Sequence, residues 1–131
     1  MKIVSMATAG PVEDQPWDIP VVAAPEEIDN TTAYGLRAAL ASAARGQATV
    51  IVDMTRTHAC DTAGLHVLVR AHRLALAQGG ELWLVIPSPD VRRLFVITGL
   101  DRVIRQFASL GEALAQTQAD AHQLPLPSDA A

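Results

Sequence analysis

A short run in the middle of the chain, Thr49–Met54 (TVIVDM), sets the first constraint on the fold. Successive side chains of an extended strand point to opposite faces. A strand that is apolar at consecutive positions therefore needs cover on both faces. That is the condition of a central strand in a parallel sheet packed between helices. Glu81–Ile86 (ELWLVI) repeats the pattern. Between the two runs, Thr62–Gln78 has helical character and stops at Gly79-Gly80. Strand, helix and strand in that order imply a right-handed crossover and an α/β architecture.

The flanking segments extend this alternation. Lys2–Met6 (KIVSM) reads as a short edge strand, and the Gly-, Pro- and acid-rich stretch after it as a loop. Ile19–Ala24 is a second strand, stopped by Pro25. Asn30 or Thr31 is expected to cap a helix over Ala33–Ala44, with Ala33, Leu36, Leu40 and Ala44 on one face and Gly46 as the stop. Ser88 is expected to cap the next helix, with Pro89 at its first position and Gly99 at its end. Val103–Phe107 reads as a short strand. Ser109-Leu110-Gly111-Glu112 is a capping box opening a last helix to about Gln118. The expected divisions are an N-terminal extension over 1–18, one domain over 19–116 and a disordered tail over 117–131.

Composition narrows the function classes. The chain has 131 residues, 50% of them hydrophobic but only 4% aromatic, so its core is built from Ala, Val, Leu and Ile. A net charge of −4 argues against nucleic-acid binding by phosphate neutralisation. One cysteine rules out an internal disulfide. No apolar stretch is long enough to insert into a membrane, and no secretory leader is evident, so a cytoplasmic protein is expected. The charge is uneven. Residues 1–29 carry Lys2 against Glu13, Asp14, Asp18, Glu26, Glu27 and Asp29, whereas every other base is an arginine.

Enzyme signatures are absent. There is no G-x-x-x-x-G-K-[ST] loop and no G-x-G-x-x-G, so no nucleotide cofactor is expected. His58, Cys60, His66 and His72 lack metal-ligand spacing, and no metal site is expected. Cys60 beside His58 reads as a small packed thiol rather than a nucleophile. No catalytic residue is assigned.

The informative segment is VIVDMTRTHACDTAGLHVL, residues 50–68. A buried strand ends, a loop follows, and a helix begins at Asp61-Thr62-Ala63-Gly64. Thr62 thus sits at a helix N-terminus, where backbone N–H groups lack partners and the helix dipole is positive. A phosphate on Thr62 would find donors there. Asp61 and Thr62 are also ordinary N-cap residue types, and a plain cap is the competing reading. Gly64 is expected to leave room beside the hydroxyl.

This segment resembles the signature of STAS domains, the anti-sigma-factor antagonist family, whose loop reads Asp-Ser-[Ser/Thr]-Gly-Leu; here it is Asp61-Thr62-Ala63-Gly64-Leu65. Glu27-Ile28-Asp29 before Thr31-Thr32 is similar to the family's Gly-Glu-[Ile/Leu]-Asp stretch, with Glu26 in place of the glycine. Gly79-Gly80-Glu81-Leu82, the proline-led helix from Pro89 to Gly99-Leu100, and Glu112-Ala113-Leu114 also match in order. The resemblance covers roughly residues 19–116. It implies a STAS-like α/β fold, with a mostly parallel central sheet of four to five strands and about four helices.

The resemblance also implies a role. The hydroxyl after the loop aspartate, Thr62, would be the phosphoacceptor. The partner would be an anti-sigma factor that is itself a serine/threonine kinase, and a serine phosphatase of the PP2C type would reverse the modification. Asp29, Asp61, Thr62, Ala63, Gly64, Leu65 and His66 would form the partner-binding surface. The Thr replaces the commoner Ser, and Ala63 leaves no second hydroxyl in the loop. An alternative within the family is an accessory subunit of an ABC-type lipid transporter, docking through the same loop without phosphorylation. An enzymatic alternative would be a small hydrolase using Thr62 or Cys60. On the helix after the loop, Leu65, Leu68, Val69 and Leu76 are expected to face the core. His66, Arg70, Arg73 and Ala77 form a second stripe, and Val67 and Leu74 either anchor a partner or widen the core.

Overall fold

The computed structural model describes residues 2–5, 19–44 and 49–123. The elements, in chain order, are β1 (Lys2–Ser5), β2 (Pro20–Ala23), β3 (Glu27–Ile28), α1 (Ala33–Ala44), β4 (Thr49–Asp53), β5 (Ala59–Cys60), α2 (Thr62–Ala77), β6 (Glu81–Val85), α3 (Pro89–Thr98), β7 (Arg105–Phe107) and α4 (Leu110–Gln123). A 3-10 turn, Leu100–Arg102, links α3 to β7. The main sheet has five strands in the order β1-β2-β4-β6-β7, and every neighbouring pair is parallel. β3 and β5 form a separate two-stranded parallel sheet.

Because strands are added in one direction, right-handed crossovers put the connecting helices on one face. The core shows this. Val22, Val50, Val52, Leu82 and Leu84 pack with Leu36 and Leu40 of α1, Leu68 of α2 and Phe95 of α3. The alternate residues Val21, Ile51, Trp83 and Val85 face the other way and meet Ala113, Leu110 and Leu114 of α4. The two-faced apolar character of Thr49–Met54 is thereby explained, since Ile51 and Val52 are both fully buried on opposite sides.

Several boundaries follow their sequence signals. Asp61 caps α2, and Ser88 caps α3 with Pro89 in its first turn. Gly99 takes the left-handed conformation, φ +78°, that closes α3. The Glu112 amide donates to the Ser109 hydroxyl at the start of α4, as the capping box requires.

Four expectations are corrected. Neither Asn30 nor Thr31 caps α1; the Asp29 carboxylate accepts from the Thr31 and Thr32 amides at 2.9 and 3.2 Å and organises the approach to that helix. Helix α4 runs on to Gln123, so the tail expected from 117 begins as helix, and residues 124–131 lie outside the described residues. The loop expected after β1 and the Gly46 stop expected after α1 lie outside them too. Val103 belongs to the turn before β7 rather than to the strand. Finally, Leu76 is 52% exposed, and the core at that level of α2 is made by His72 and Ala75 instead. Four-residue spacing from Gly64 through Leu68 to His72, then Ala75, is the buried stripe.

Candidate functional site

The site is assembled by the small sheet. After β2 and β4 leave the main sheet, their continuations are stitched together. The Thr57 hydroxyl, buried, donates to the Pro25 carbonyl at 2.7 Å, and the His58 amide donates to the Glu26 carbonyl at 2.9 Å. β3 and β5 then pair, Glu27 opposite Ala59 and Ile28 opposite Cys60. The Asp61 amide continues the ladder by donating to the Ile28 carbonyl at 2.9 Å. Asp29 and Asp61 therefore leave neighbouring strands side by side, at a strand spacing of about 4.8 Å. Helices α1 and α2 start immediately beyond them.

Asp61 has extended backbone (φ −100°, ψ −173°), and its Oδ1 accepts from the Gly64 amide at 3.1 Å. The capping reading is thus correct for Asp61. It leaves Thr62 as the first residue of α2, exposed, with a hydroxyl that makes no hydrogen bond among the described residues. The amides of Thr62 and Ala63 also have no acceptor among the described residues, because the cap satisfies Gly64 and the Leu65 amide bonds the Asp61 carbonyl. Two free donors beside a free hydroxyl at the positive end of a 16-residue helix can accept an anion.

Asp29 is held by its own loop. Its Oδ1 accepts from the Thr31 hydroxyl at 2.6 Å and the Thr31 amide at 2.9 Å, while its amide donates to the Thr32 hydroxyl at 2.9 Å. The Thr31 hydroxyl bond, then the Thr31 amide, hold the carboxyl below the usual carboxylate range. At neutral pH the loop therefore presents a fixed negative charge next to Asp61.

Gly64 has a role different from the expected one. A Cβ there would lie 2.5 Å from Ile28 Cγ2 and 2.7 Å from Cys60 Sγ. The space is filled by the small sheet rather than left open for the Thr62 hydroxyl. Gly64 is buried and positions the loop; it offers a partner no surface. Ala63 and Leu65 are half-buried, Leu65 against the core, and His66 is exposed one turn beyond Thr62. Of the seven residues expected at a partner surface, Asp61, Thr62 and His66 are the exposed ones, with Asp29 half-buried beside them.

Cys60 is not arranged as a nucleophile. Burial, with a smaller contribution from the Asp61 carboxylate, pushes its thiol up to about 11. His58 points elsewhere, 4.0 Å from Glu26. Among the described residues no group of His, Cys, Asp or Glu could hold a metal ion, and no helix is long and apolar enough to cross a membrane.

Sequence reasoning missed two features here. One is the β3–β5 pairing, made of two-residue strands with no periodic signal. The other is Tyr34 in the first turn of α1, 77% exposed beside the Asp29 loop. The helical face of Ala33, Leu36 and Leu40 turns Tyr34 outward, and that periodicity was readable.

Comparison with known proteins places the chain in one family. The sequence profile described as STAS domain matches residues 12–113. A relative from Thermotoga neapolitana, provisionally named an anti-sigma factor antagonist, is 28% identical over 74 residues, a stretch covering 56% of this chain and 66% of the relative. The crystal structure of an anti-sigma factor antagonist from Mycobacterium paratuberculosis superposes with a TM-score of 0.70 at 25% identity, over 81% of this chain and 90% of that one. The Bacillus protein SpoIIAA superposes in its unphosphorylated form with a TM-score of 0.64 at 26% identity, over 76% of this chain and 87% of that one. Its phosphorylated form superposes with a TM-score of 0.57 at 26% identity, over 73% and 87%.

Proposed function

The chain belongs to the STAS-domain family, and from that premise we propose that it is an anti-sigma factor antagonist switched off by phosphorylation of Thr62. One observation carries the reading. The Thr62 hydroxyl stands exposed at the N-terminus of α2, unbonded among the described residues, beside two amides that lack an acceptor among them and two carboxylates.

In this reading the unmodified protein binds an anti-sigma factor and releases the sigma factor, so sigma-dependent transcription rises. The anti-sigma factor is also a serine/threonine kinase. The Thr62 Oγ1 attacks the γ-phosphorus of ATP bound to that partner. The bond to the β,γ-bridging oxygen breaks, ADP leaves, and a base of the kinase takes the hydroxyl proton. A phosphatase of the PP2C type returns the hydroxyl by hydrolysis. The protein itself is a cytoplasmic binding module with no catalytic residue and no cofactor.

The switch is electrostatic. The phosphate adds about −1.5 to −2 charges at neutral pH. It does so beside Asp61 and the ionised Asp29, inside a surface that must be desolvated to dock. A loss of about 1–3 kcal/mol weakens binding roughly 5- to 150-fold, enough for regulation. The Thr62 and Ala63 amides stabilise the product once formed.

The test is transfer of phosphate from ATP by a candidate anti-sigma-factor kinase, mapped by mass spectrometry. Modification of Thr62 that disappears in Thr62→Ala supports the reading. No transfer to any residue, with co-purification of a permease or ATPase, replaces it with the transporter-subunit role.

A further inference from the structure

Helices α1 and α2 pack against each other and start together at the small sheet. Neither contains an Asp or a Glu; their formal charges are Arg37, Arg70 and Arg73. In a chain of net charge −4 that is a local reversal of sign. Between the helices lies a groove of about 180 Å³. Its apolar lining includes Leu40, Val67, Ala71 and Leu74, and Arg37 and Arg70 stand on opposite lips. Leu74 is 57% exposed, so the groove has an apolar rim as well as a floor. A second depression, sharing Arg70 and Leu74, continues past Arg73 to His66. None of the three arginines has an ion-pair partner among the described residues.

We propose that this groove docks an acidic amphipathic helix of a partner protein. One apolar side chain of that helix inserts between Leu40, Val67 and Leu74, and carboxylates flanking it meet Arg37 and Arg70. An apolar space of about 150 Å³ holds a benzene-sized group, so the groove takes one leucine or phenylalanine side chain. Arginines without an ion-pair partner among the described residues match carboxylates in geometry as well as charge. The arrangement is the helix-in-groove mode, with the anchor supplying burial and the lips supplying register. A lipid surface fits worse, because the groove is concave and the whole chain is repelled by an anionic bilayer. A second copy docked symmetrically would place arginine against arginine. The proposal does not depend on phosphorylation of Thr62.

The experiment is a nuclear magnetic resonance titration of the full isotope-labelled chain. The probe is a synthetic helix-forming peptide with leucines on one face and glutamates flanking them; the control has lysine at every glutamate position. The glutamate peptide is expected to shift Arg37, Leu40, Val67, Arg70 and Leu74 saturably, binding about tenfold tighter than the lysine peptide from two partly exposed charge pairs. The doubly reversed variant Arg37→Glu/Arg70→Glu, checked for folding by circular dichroism, is expected to prefer the lysine peptide. Leu74→Ala is expected to weaken both. Equal affinity for the two peptides would overturn the proposal, as would shifts mapping elsewhere or no saturable shift at millimolar peptide. So would shifts only with phosphatidylglycerol vesicles, or self-association that already fills the groove.

Discussion

Replacing Gly64 by alanine sets two opposing effects against each other. In an exposed helix, alanine is favoured over glycine by about 1 kcal/mol. Here the new methyl would sit 2.5 Å from Ile28 Cγ2, 2.7 Å from Cys60 Sγ and 3.1 Å from Ile28 Cβ. Contacts that close force backbone or side-chain movement, and overpacking costs typically about 1–3 kcal/mol. Neither neighbour gives way easily, because Ile28 is 1% exposed and Cys60 is paired to it through the small sheet. Contacts of 2.5 and 2.7 Å against such neighbours place the cost at the upper end of that range, about 2–3 kcal/mol, so the clash wins with a net loss of about 1–2 kcal/mol. Urea denaturation followed by circular dichroism would show the midpoint falling by roughly 0.5–1 M at a slope of about 2 kcal/mol/M. The penalty should couple to Ile28: in an Ile28→Ala background, which removes the nearest atom, Gly64→Ala should cost less by about 0.5 kcal/mol or more. If Gly64→Ala were as stable as wild type, or more stable, the steric argument for this glycine would be refuted.

Three further outcomes follow from the same structure. Asp61→Ala removes the acceptor for the Gly64 amide and should cost about 0.5–2 kcal/mol, whereas Asp61→Ser should recover most of it in the same denaturation assay. Thr62→Glu should bind the proposed kinase partner more weakly than wild type by isothermal titration, and tight binding by this variant would remove the proposed electrostatic account of the switch. His72 is buried, and its Nδ1 accepts from the Leu82 amide at 3.2 Å. Burial, the largest influence, holds its imidazole below the ordinary value of 6.5, so the unfolded chain takes up the proton first as pH falls. The contribution of His72 to stability is thus present above about pH 6.5 and is lost as pH drops below it. His72→Gln should flatten that dependence in pH-resolved thermal melts, while a persisting dependence in the variant would shift the cause to another group.

The long elements were legible because their signals are local. Thr49–Asp53 and Glu81–Val85 are short apolar runs, and the limits of α2, α3 and α4 are marked by Asp61, Gly79-Gly80, Ser88-Pro89, Gly99 and Ser109. Capping and glycine stops act within one turn, so they survive in the sequence. Leu76 was misread for a complementary reason. Apolar character names a residue that can be buried, but the docking of α2 against β6 and α1 decided that His72 and Ala75 are the ones covered.

The sequence by itself determined the alternation of strands and helices, the parallel sheet and the place of Thr62 at the head of a helix. Only the tertiary structure decided what surrounds that threonine. The pairing of Glu27-Ile28 with Ala59-Cys60 joins segments more than thirty positions apart through backbone hydrogen bonds, which carry no side-chain periodicity. That pairing sets Asp29 beside Asp61, turns Gly64 from a source of space into a tightly filled contact, and leaves the Thr62 hydroxyl facing outward. The groove between α1 and α2 is decided in the same way. Arg37 and Arg70 are distant in the chain, and only the docking of two acid-free helices makes them the two lips of one surface.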